Sequence, residues 1–328
     1  MKAAWFDRFG PAREVLQVGE IDTPSPGHGE VLVRLETSGV NPSDVKKRAG
    51  SFPNLLEDGF VVPHSDGAGT IEAVGAGVPA ARIDQRVWIY QAQFTRRFGT
   101  AAQYVALPSE RAVRLPDHVG MDVGACLGIP AMTAHRCVFA DGPVSDQAVL
   151  VTGGAGRVGY YAIQWAKYGG ATVIATASND AAAADCRNAG ADYVVNHRSD
   201  KFVEEVRDAA PGGRVDRVVD VDFGGNLPHS LEYIRVGGVI ASYASGGEPE
   251  PKLPFFRMMY MDLTVRAVIV YAMPEAAKEE ALDDISDLLE QELLSHRIAH
   301  IVRLNDIARG HELIEEAGFA GCVIVEID

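Results

Sequence analysis

The sequence predicts an α/β protein that combines a β-rich module with a doubly wound parallel sheet. Three observations support this prediction. Short β-like runs broken by Gly and Pro fill the first hundred or so residues, strand and helix patterns alternate from about Met121, and a glycine-rich turn follows the first strand of that alternation. The chain has 328 residues, which is long for a single core, so we expect two domains.

The β-rich module is predicted from apolar runs that lie between turn clusters. Pro24-Ser25-Pro26-Gly27 is typical of these clusters. The predicted strands cover residues 31–35, 69–74, 86–90 and 103–107.

The second half of the chain alternates strands with helices. The predicted strands cover residues 148–152, 172–177, 193–196, 216–221, 239–243 and 264–271. Six such strands favour a doubly wound parallel sheet, whose ligand crevice lies beyond the carboxyl ends of the strands. An acidic amphipathic helix at 275–294, a helix at 306–317 and a closing strand at 322–327 complete the prediction.

The glycine-rich turn runs from Thr152 to Gly159 and leads into a predicted helix that ends near Tyr168. Glycines at 153, 156 and 159 permit a tight strand-to-helix turn and let the backbone approach a pyrophosphate. Free N–H groups and the positive end of the helix dipole then face an anionic ligand. An ordinary glycine-rich loop is the alternative, but the order strand, turn, helix, strand favours a dinucleotide site.

Composition excludes several classes of partner and location. Hydrophobic residues make up 47% and charged residues 23%, which is typical of a globular protein. The net charge of −15 disfavours nucleic acid and anionic membranes as partners. The segment 1–8 lacks the apolar region of a signal peptide and no apolar stretch is long enough to span a bilayer, so we expect a cytoplasmic protein. The four scattered cysteines indicate neither a disulfide framework nor a structural zinc site.

Residues after the second and third strands of the predicted sheet bear on the cofactor. The second strand ends in Ala177-Ser178 without the carboxylate that binds the ribose of NAD, and Asn196-His197-Arg198 supplies cationic partners for a 2′-phosphate. This favours NADPH over NADH, although Asp180 keeps NADH open. Arg157 either contacts the pyrophosphate or is a solvated surface arginine.

The order of several motifs resembles the medium-chain dehydrogenase/reductase superfamily, and within it the zinc-free quinone oxidoreductases, the zeta-crystallin-like branch. The matching motifs are Gly39-Val40-Asn41-Pro42, Ser65-Asp66-Gly67-Ala68-Gly69, Glu72-Ala73-Val74-Gly75, Gly128-Ile129-Pro130-Ala131-Met132-Thr133-Ala134, the glycine turn, Asn196-His197-Arg198 and Gly237-Gly238. The resemblance implies a GroES-like catalytic domain of residues 1–122 and 272–328, a Rossmann domain of residues 123–271, and a homodimer paired near residues 264–271.

The same resemblance implies that zinc is absent. Zinc-dependent relatives place their ligands where this chain has Asn41, Ser65 and Ile129, and an amide, a hydroxyl and an alkyl group do not hold zinc tightly. A displaced metal site built from His64, Asp44 and Asp66 is the alternative.

Site residues also follow from the resemblance. Asn41 and Thr133 are expected near the nicotinamide as the catalytic candidates. The remaining candidates for cofactor binding are Gly153, Ala155, Gly156, Arg157, Val158, Ser178, His197, Arg198, Ala244, Ser245 and Ile269. Three of these residues have structural alternatives: Asn41 before Pro42 shapes a turn, Thr133 caps the helix that begins near Pro130, and His197 is an ordinary loop histidine.

These features together predict an NADPH-dependent, zinc-independent reductase of quinones or α,β-unsaturated carbonyls. Conjugation in such acceptors spreads the incoming charge onto oxygen without a Lewis acid. Two alternatives remain: an alcohol or ketone dehydrogenase with a displaced metal, and a catalytically silent NADPH-binding protein. One form of the second alternative is an RNA-binding protein that uses a basic patch at Arg96-Arg97.

Overall fold

The computed structural model describes residues 1–328 and divides into two compact units. One unit comprises residues 1–129 and 282–328, and the other comprises residues 130–281. The boundaries expected from the sequence, at 122 and 271, lie earlier in the chain.

The first 129 residues are dominated by β-structure. The strands are β1 (Lys2–Trp5), β2 (Gln17–Glu20), β3 (Glu30–Val40), β4 (Asp66–Val74), β5 (Arg86–Ile89), β6 (Tyr104–Pro108) and β7 (Ala112–Arg114). The helices are α1 (Ala12–Val15), α2 (Pro42–Arg48) and α3 (Met121–Gly124). A single π-helical turn, Leu127–Ala131, follows α3.

Residues 130–281 alternate helices and strands as predicted. The helices are α4 (Met132–Phe139), α5 (Arg157–Tyr168), α6 (Asp180–Asn188), α7 (Phe202–Ala209), α8 (Phe223–Tyr233) and α9 (Phe255–Tyr260), followed by α10 (Glu275–Glu290), which runs past residue 281. The strands are β8 (Ala148–Val151), β9 (Thr172–Ala177), β10 (Tyr193–Asn196), β11 (Val215–Asp220), β12 (Ile234–Ser242) and β13 (Thr264–Ala267). The chain ends with β14 (Ile298–Arg303), α11 (Ile307–Glu316) and β15 (Cys322–Glu326).

The second unit contains a six-stranded sheet in the order β10-β9-β8-β11-β12-β13. Every pair in this sheet is parallel. This is the doubly wound order, in which β8, β9 and β10 extend the sheet to one side and the chain then crosses back to place β11 on the other side of β8. All four residues of β8 are buried, as expected for a central strand covered by helices on both faces. The predicted α/β fold is confirmed.

The first unit contains a seven-stranded sheet in which β14, β15, β3, β4, β5 and β7 follow one another and β6 pairs with β3. All its pairs are antiparallel except β14 with β15. Apolar residues that alternate along β3 and β5, among them Val31, Val33, Val87 and Ile89, form its core.

Two predicted elements end four residues earlier in the structure than expected, and one strand was not predicted. The strand predicted at 264–271 ends at Ala267, because Val270–Ala272 turns into a 3₁₀ helix. The helix predicted at 275–294 ends at Glu290, and Glu292 adopts a left-handed φ of +57° that a helix does not accommodate. Strand β14, which the sequence analysis did not predict, pairs with β15. None of the helices has both the length and the apolar character needed to cross a bilayer.

A buried histidine pair joins α11 to the loop before β4. The Nε2 atoms of His64 and His311 lie 3.0 Å apart, their rings stack, and both side chains are fully buried. His64 Nδ1 lies 2.8 Å from Ser38 Oγ, although His64 has an unusual φ of +79°. Burial lowers the pKa of His64 to about 3, helped by Lys47, and lowers the pKa of His311 well below its usual range, helped by His64 and Arg48. The pair is therefore neutral in the folded protein.

Acid should destabilise the protein through this pair. A histidine whose pKa is lowered by folding contributes stability above its unfolded pKa of about 6.5, and that stability is lost as the pH falls and only the unfolded chain takes up the proton. We expect His311→Gln to reduce the slope of unfolding free energy against pH, between pH 6 and 4.5, by up to about 1.4 kcal/mol per pH unit. Urea unfolding at several pH values measures this slope. The exposed His118→Gln is the control, and equal slopes in all three proteins would contradict the assignment.

Candidate functional site

The glycine turn lies at the carboxyl edge of the parallel sheet, between β8 and α5. Gly153 has a φ of +61°, which glycine adopts at little cost, and its N–H donates to Thr176 Oγ1 at 2.9 Å. Gly154 N donates to the carbonyl of the same threonine at 3.0 Å. The end of β9 therefore fixes the first half of the turn.

The second half of the turn needs glycine for space. A Cβ on Gly159 would lie 2.4 Å from the carbonyl oxygen of Gly153, so the first turn of α5 packs directly on the glycine loop. Gly156 is the exposed N-cap of the helix, and Ala155, Arg157 and Val158 are partly exposed around it. This 12-residue helix presents its N-terminus beside an exposed, glycine-lined backbone, which suits a pyrophosphate. The cradle fits a dinucleotide.

The structure brings together the residues predicted to bind the adenosine 2′ position. Ser178 directly follows β9, His197 and Arg198 directly follow β10, and His197 N donates to the carbonyl of Ala177 at 3.3 Å. The side chains of His197 and Arg198 are exposed. Asp180 is exposed in the first turn of α6, after Asn179, whose side chain caps that helix.

The loop after β12 contains two further candidates, Ala244 and Ser245. Ala244 accepts a hydrogen bond from Phe223 N at 2.9 Å, and Ser245 Oγ accepts one from Gly224 N at the same distance. These bonds fix the loop against the start of α8. Ile269, which follows β13, is 54% exposed.

Thr133 lies inside α4 and is 5% exposed. The helix begins one residue earlier and its N-cap is Ala131, so the structural alternative in which Thr133 caps the helix is wrong. The π-helical turn moves the start of α4 past Pro130.

Asp220 supports the same edge of the sheet, and the sequence analysis missed it. Its buried Oδ1 accepts hydrogen bonds from Thr152 Oγ1 at 2.9 Å, Asn226 Nδ2 at 2.7 Å and Asp222 N at 3.1 Å. Burial raises the pKa of Asp220, although these hydrogen bonds lower it in part. A carboxylate at the end of a buried strand was the available signal.

Asn41 is the candidate that lies in the other unit, at the junction of β3 and α2. It is the N-cap of α2 and is 3% exposed. Its backbone N–H donates to Asp44 Oδ2 at 2.9 Å, and its Nδ2 donates to Asp66 Oδ2 at 2.8 Å. Asn41 therefore lies at a helix start, and its side chain is also fixed by a second carboxylate.

Asp44, Lys47 and Asp66 form a buried charged cluster beside Asn41. Each is at most 6% exposed, and the two carboxylates are the charges that favour the protonated lysine. Burial raises the pKa of Asp66 to about 8 and that of Asp44 to about 6, while it lowers the pKa of Lys47. One ammonium balances only one of the two buried carboxylates, so the cluster favours proton uptake by the other near neutral pH. The sequence analysis considered Asp44 and Asp66 only as displaced metal ligands, and it missed Lys47.

The side chains at the zinc positions of the relatives do not fit zinc. Asn41 directs its amide nitrogen to Asp66, and the backbone N–H of Ile129 donates to the same carboxylate oxygen at 2.9 Å. His64 uses one ring nitrogen on Ser38 and the other on His311. In the displaced set, both ring nitrogens of His64 and the Oδ2 atoms of Asp44 and Asp66 already take part in hydrogen bonds within the protein. No cluster of three His, Cys, Asp or Glu side chains is arranged to hold a metal ion.

Comparisons with known proteins agree with this architecture. Residues 27–117 match the alcohol dehydrogenase GroES-like domain, and residues 158–287 match the zinc-binding dehydrogenase family. The quinone oxidoreductase of Rattus norvegicus is 30% identical over 247 residues, which cover 75% of this chain and 73% of that protein. The chain belongs to the medium-chain dehydrogenase/reductase superfamily, in its zinc-free quinone oxidoreductase branch.

Two other members of the superfamily extend the comparison. A 2-haloacrylate reductase from Burkholderia sp is 27% identical, covering 99% of this chain and 98% of that protein. The structure of mycobacterial Rv1454c complexed with NADPH superimposes with a TM-score of 0.86 at 29% identity, covering 99% of this chain and all of that one. The chain is therefore an oxidoreductase with the two-domain fold of the superfamily.

Replacement of Gly159 should damage the turn more than replacement of Gly156. Alanine favours a helix by up to about 1 kcal/mol over glycine, but the clash of its Cβ with Gly153 should cost about 1–3 kcal/mol and should dominate. We expect Gly159→Ala to lower the free energy of unfolding. At Gly156 the Cβ would lie 3.1 Å from the same carbonyl, so Gly156→Ala should stay within about 1 kcal/mol of the wild type. Chemical denaturation measures both, and equal stability of the two variants would contradict the packing argument.

Proposed function

We propose that this protein is an NADPH-dependent, zinc-independent reductase that transfers hydride to quinones or α,β-unsaturated carbonyl compounds. The observation that carries the proposal is the crowded glycine turn at the N-terminus of α5, on the carboxyl edge of a doubly wound sheet. Membership of the quinone oxidoreductase branch supports the reaction class.

A bound nicotinamide cofactor would supply the hydride, and the chain would bind and orient both reactants. The N-terminal turn of α5 would hold the pyrophosphate through the helix dipole and its backbone N–H groups, while Gly153 N and Gly154 N donate to Thr176 and keep the loop in place. Asn41 and Thr133 would lie at the nicotinamide end, as the family resemblance implies. Hydride transfer between oriented reactants in a site that excludes water requires geometry more than a dedicated acid.

Three residues support NADPH over NADH. Ser178, His197 and Arg198 follow adjacent strands, and the two basic side chains are exposed where a 2′-phosphate would be neutralised. The first residue after β9 is a serine, which would not repel a phosphate. The similarity to a mycobacterial structure complexed with NADPH agrees with this preference.

Electron-poor planar acceptors suit a site without a Lewis acid. The relatives include quinone oxidoreductases and a 2-haloacrylate reductase, whose acceptors share an alkene conjugated to a carbonyl or carboxyl group. The donor set around Asn41 disfavours the alternative of an alcohol dehydrogenase with a displaced metal. The alternative of an RNA binder is disfavoured, because Arg96 pairs with Glu30 at 3.0 Å and the Arg97 guanidinium packs over the Phe60 ring, 4.7 Å from its centre.

Turnover with NADPH tests the proposal directly. We expect the wild-type protein to oxidise NADPH faster than NADH with 1,4-naphthoquinone, 9,10-phenanthrenequinone or a short enone, in a sample whose metal content is measured. Arg198→Ala should lower the NADPH-to-NADH preference about 10-fold, because it removes a charge-assisted contact with the 2′-phosphate.

Arg214→Ala is the matched control, since Arg214 is an exposed arginine of the same unit that precedes β11 at its amino end. Its preference should equal that of the wild type. NADPH binding without turnover of any acceptor would instead favour the catalytically silent protein, and activity that follows zinc content would favour the metal-dependent dehydrogenase.

We also propose that two copies pair through β13. This strand is an edge of the six-stranded sheet, so one side of its backbone is free to bond a second strand. Val265 on the strand is 41% exposed, and the preceding helix α9 exposes Phe255, Phe256 and Tyr260 at 66%, 69% and 79%. An edge strand is complementary to itself in antiparallel pairing about a two-fold axis, which makes a second copy the fitting occupant.

A lysine on the edge strand should prevent this pairing. We expect the wild-type protein to have the mass of a dimer by light scattering and Val265→Lys to shift it toward the monomer, because the buried charge would face its own copy across the axis. Ile301→Lys is the control on β14, the edge of the other sheet, where Ile301 is 58% exposed. Dissociation by Ile301→Lys alone would place the interface on the other sheet.

A further inference from the structure

The carboxylate of Asp66 joins three separate segments of the first unit. Asp66 is the first residue of β4 and is fully buried. Its Oδ2 accepts hydrogen bonds from Asn41 Nδ2 at 2.8 Å and from Ile129 N at 2.9 Å. The end of β3, the start of β4 and the π-helical turn therefore meet at one oxygen atom.

Two glycines make this meeting sterically possible. A Cβ on Gly128 would lie 2.2 Å from Asp66 Oδ1, and a Cβ on Gly39 would lie 2.2 Å from the carbonyl oxygen of Ala125 and 3.4 Å from Asp66 Cβ. The two distances of 2.2 Å are far shorter than van der Waals contact, and the distance of 3.4 Å is close to it. Glycines at 39 and 128 therefore allow the three segments to close around the carboxylate.

The bond from Asn41 Nδ2 constrains the candidate catalytic side chain. A carboxamide is planar, so a fixed nitrogen also sets the direction of its oxygen. Positions 41, 65 and 129, where the family resemblance places the ligands of zinc-dependent relatives, all lie on the segments that Asp66 joins. A metal ion holds such segments through ligand bonds, whereas here one carboxylate holds them through hydrogen bonds.

We propose that Asp66 is a positioning residue for the reduction, which acts by holding the Asn41 carboxamide against the segment 127–131. The proposal rests on the function proposed above. Asp66 is buried beneath Asn41 and is assigned no contact with the substrate. Replacement of Asp66 should therefore lower kcat, and this loss should depend on the presence of Asn41.

The first experiment compares Asp66→Ala with Asp66→Asn. The asparagine keeps an oxygen acceptor in nearly the same position, whereas alanine leaves both N–H donors without a partner. We expect Asp66→Ala to lower kcat at least about 10-fold with an NADPH dissociation constant within about threefold of the wild type. We expect Asp66→Asn to restore kcat to within about threefold. Equal kcat in Asp66→Ala and the wild type would overturn the proposal.

A double-mutant cycle with Asn41→Ala separates positioning from general loss of stability. If Asp66 acts through Asn41, Asp66→Ala should lower kcat less than about twofold in the Asn41→Ala background. Independent, multiplying losses would overturn the proposal. Thr100→Val is the structural control, because Thr100 Oγ1 donates to the Asp66 carbonyl at 2.6 Å and not to its carboxylate. It should lower thermal stability and leave kcat within about twofold.

Two experimental results would require a different variant or measurement. Should Asp66→Ala fail to fold, Asp66→Glu replaces it, because the extra methylene displaces the carboxylate and should give the same loss of kcat. Should the wild-type protein reduce no acceptor, the proposed function fails, and the side-chain amide resonances of the seven asparagines decide the role of Asp66. The Asn41 amide, assigned by its loss in Asn41→Ala, should exchange slowly in the wild type and quickly in Asp66→Ala; equal exchange would overturn the proposal.

Discussion

The hydrogen bonds to the buried carboxylate of Asp66 are the constraint on which the first unit depends. Removal of a carboxylate from water costs several kcal/mol unless hydrogen bonds and opposite charge compensate. Here Asn41 and Ile129 donate hydrogen bonds to one oxygen and Lys47 favours the charged form, which compensates in part, since burial still raises the pKa of Asp66 to about 8. This compensation requires three segments distant in sequence to converge. The need to solvate one buried carboxyl group therefore sets the local geometry of the strand ends.

In the second unit, the main constraint is the close packing of the glycine turn against its neighbours. The glycine turn is held from behind by hydroxyls and a carboxylate at the ends of adjacent strands, namely Thr176, Thr152 and Asp220. The absence of side chains at Gly153 and Gly159 lets the turn pack closely against Val221 and against the first turn of α5. The backbone N–H groups therefore have a fixed arrangement before any ligand arrives, which lowers the entropic cost of binding.

Much of this architecture is predictable from sequence because it depends on local patterns. The strands β9 and β10 have the predicted bounds, since uninterrupted apolar runs between turn signals leave little choice. The glycine turn was found because its spacing reflects a steric need. The end of β13 and the strand β14 were not found, because pairing with neighbours distant in sequence decides both. Lys47 was missed for a similar reason: Asp44 precedes it by three residues in α2, but the burial of both side chains and the second carboxylate, Asp66 on β4, depend on contacts distant in sequence.

The glycine turn and the residues that follow β9 and β10 differ in how freely they can be substituted. Gly159 cannot acquire even a methyl group without a clash, whereas His197 and Arg198 project from the ends of strands with exposed side chains. Under the proposed function, selection on the choice between phosphorylated and unphosphorylated ribose therefore acts on exposed positions outside the core of the sheet. A lineage with this fold can exchange one electron carrier for the other by a few surface substitutions and keep the same scaffold.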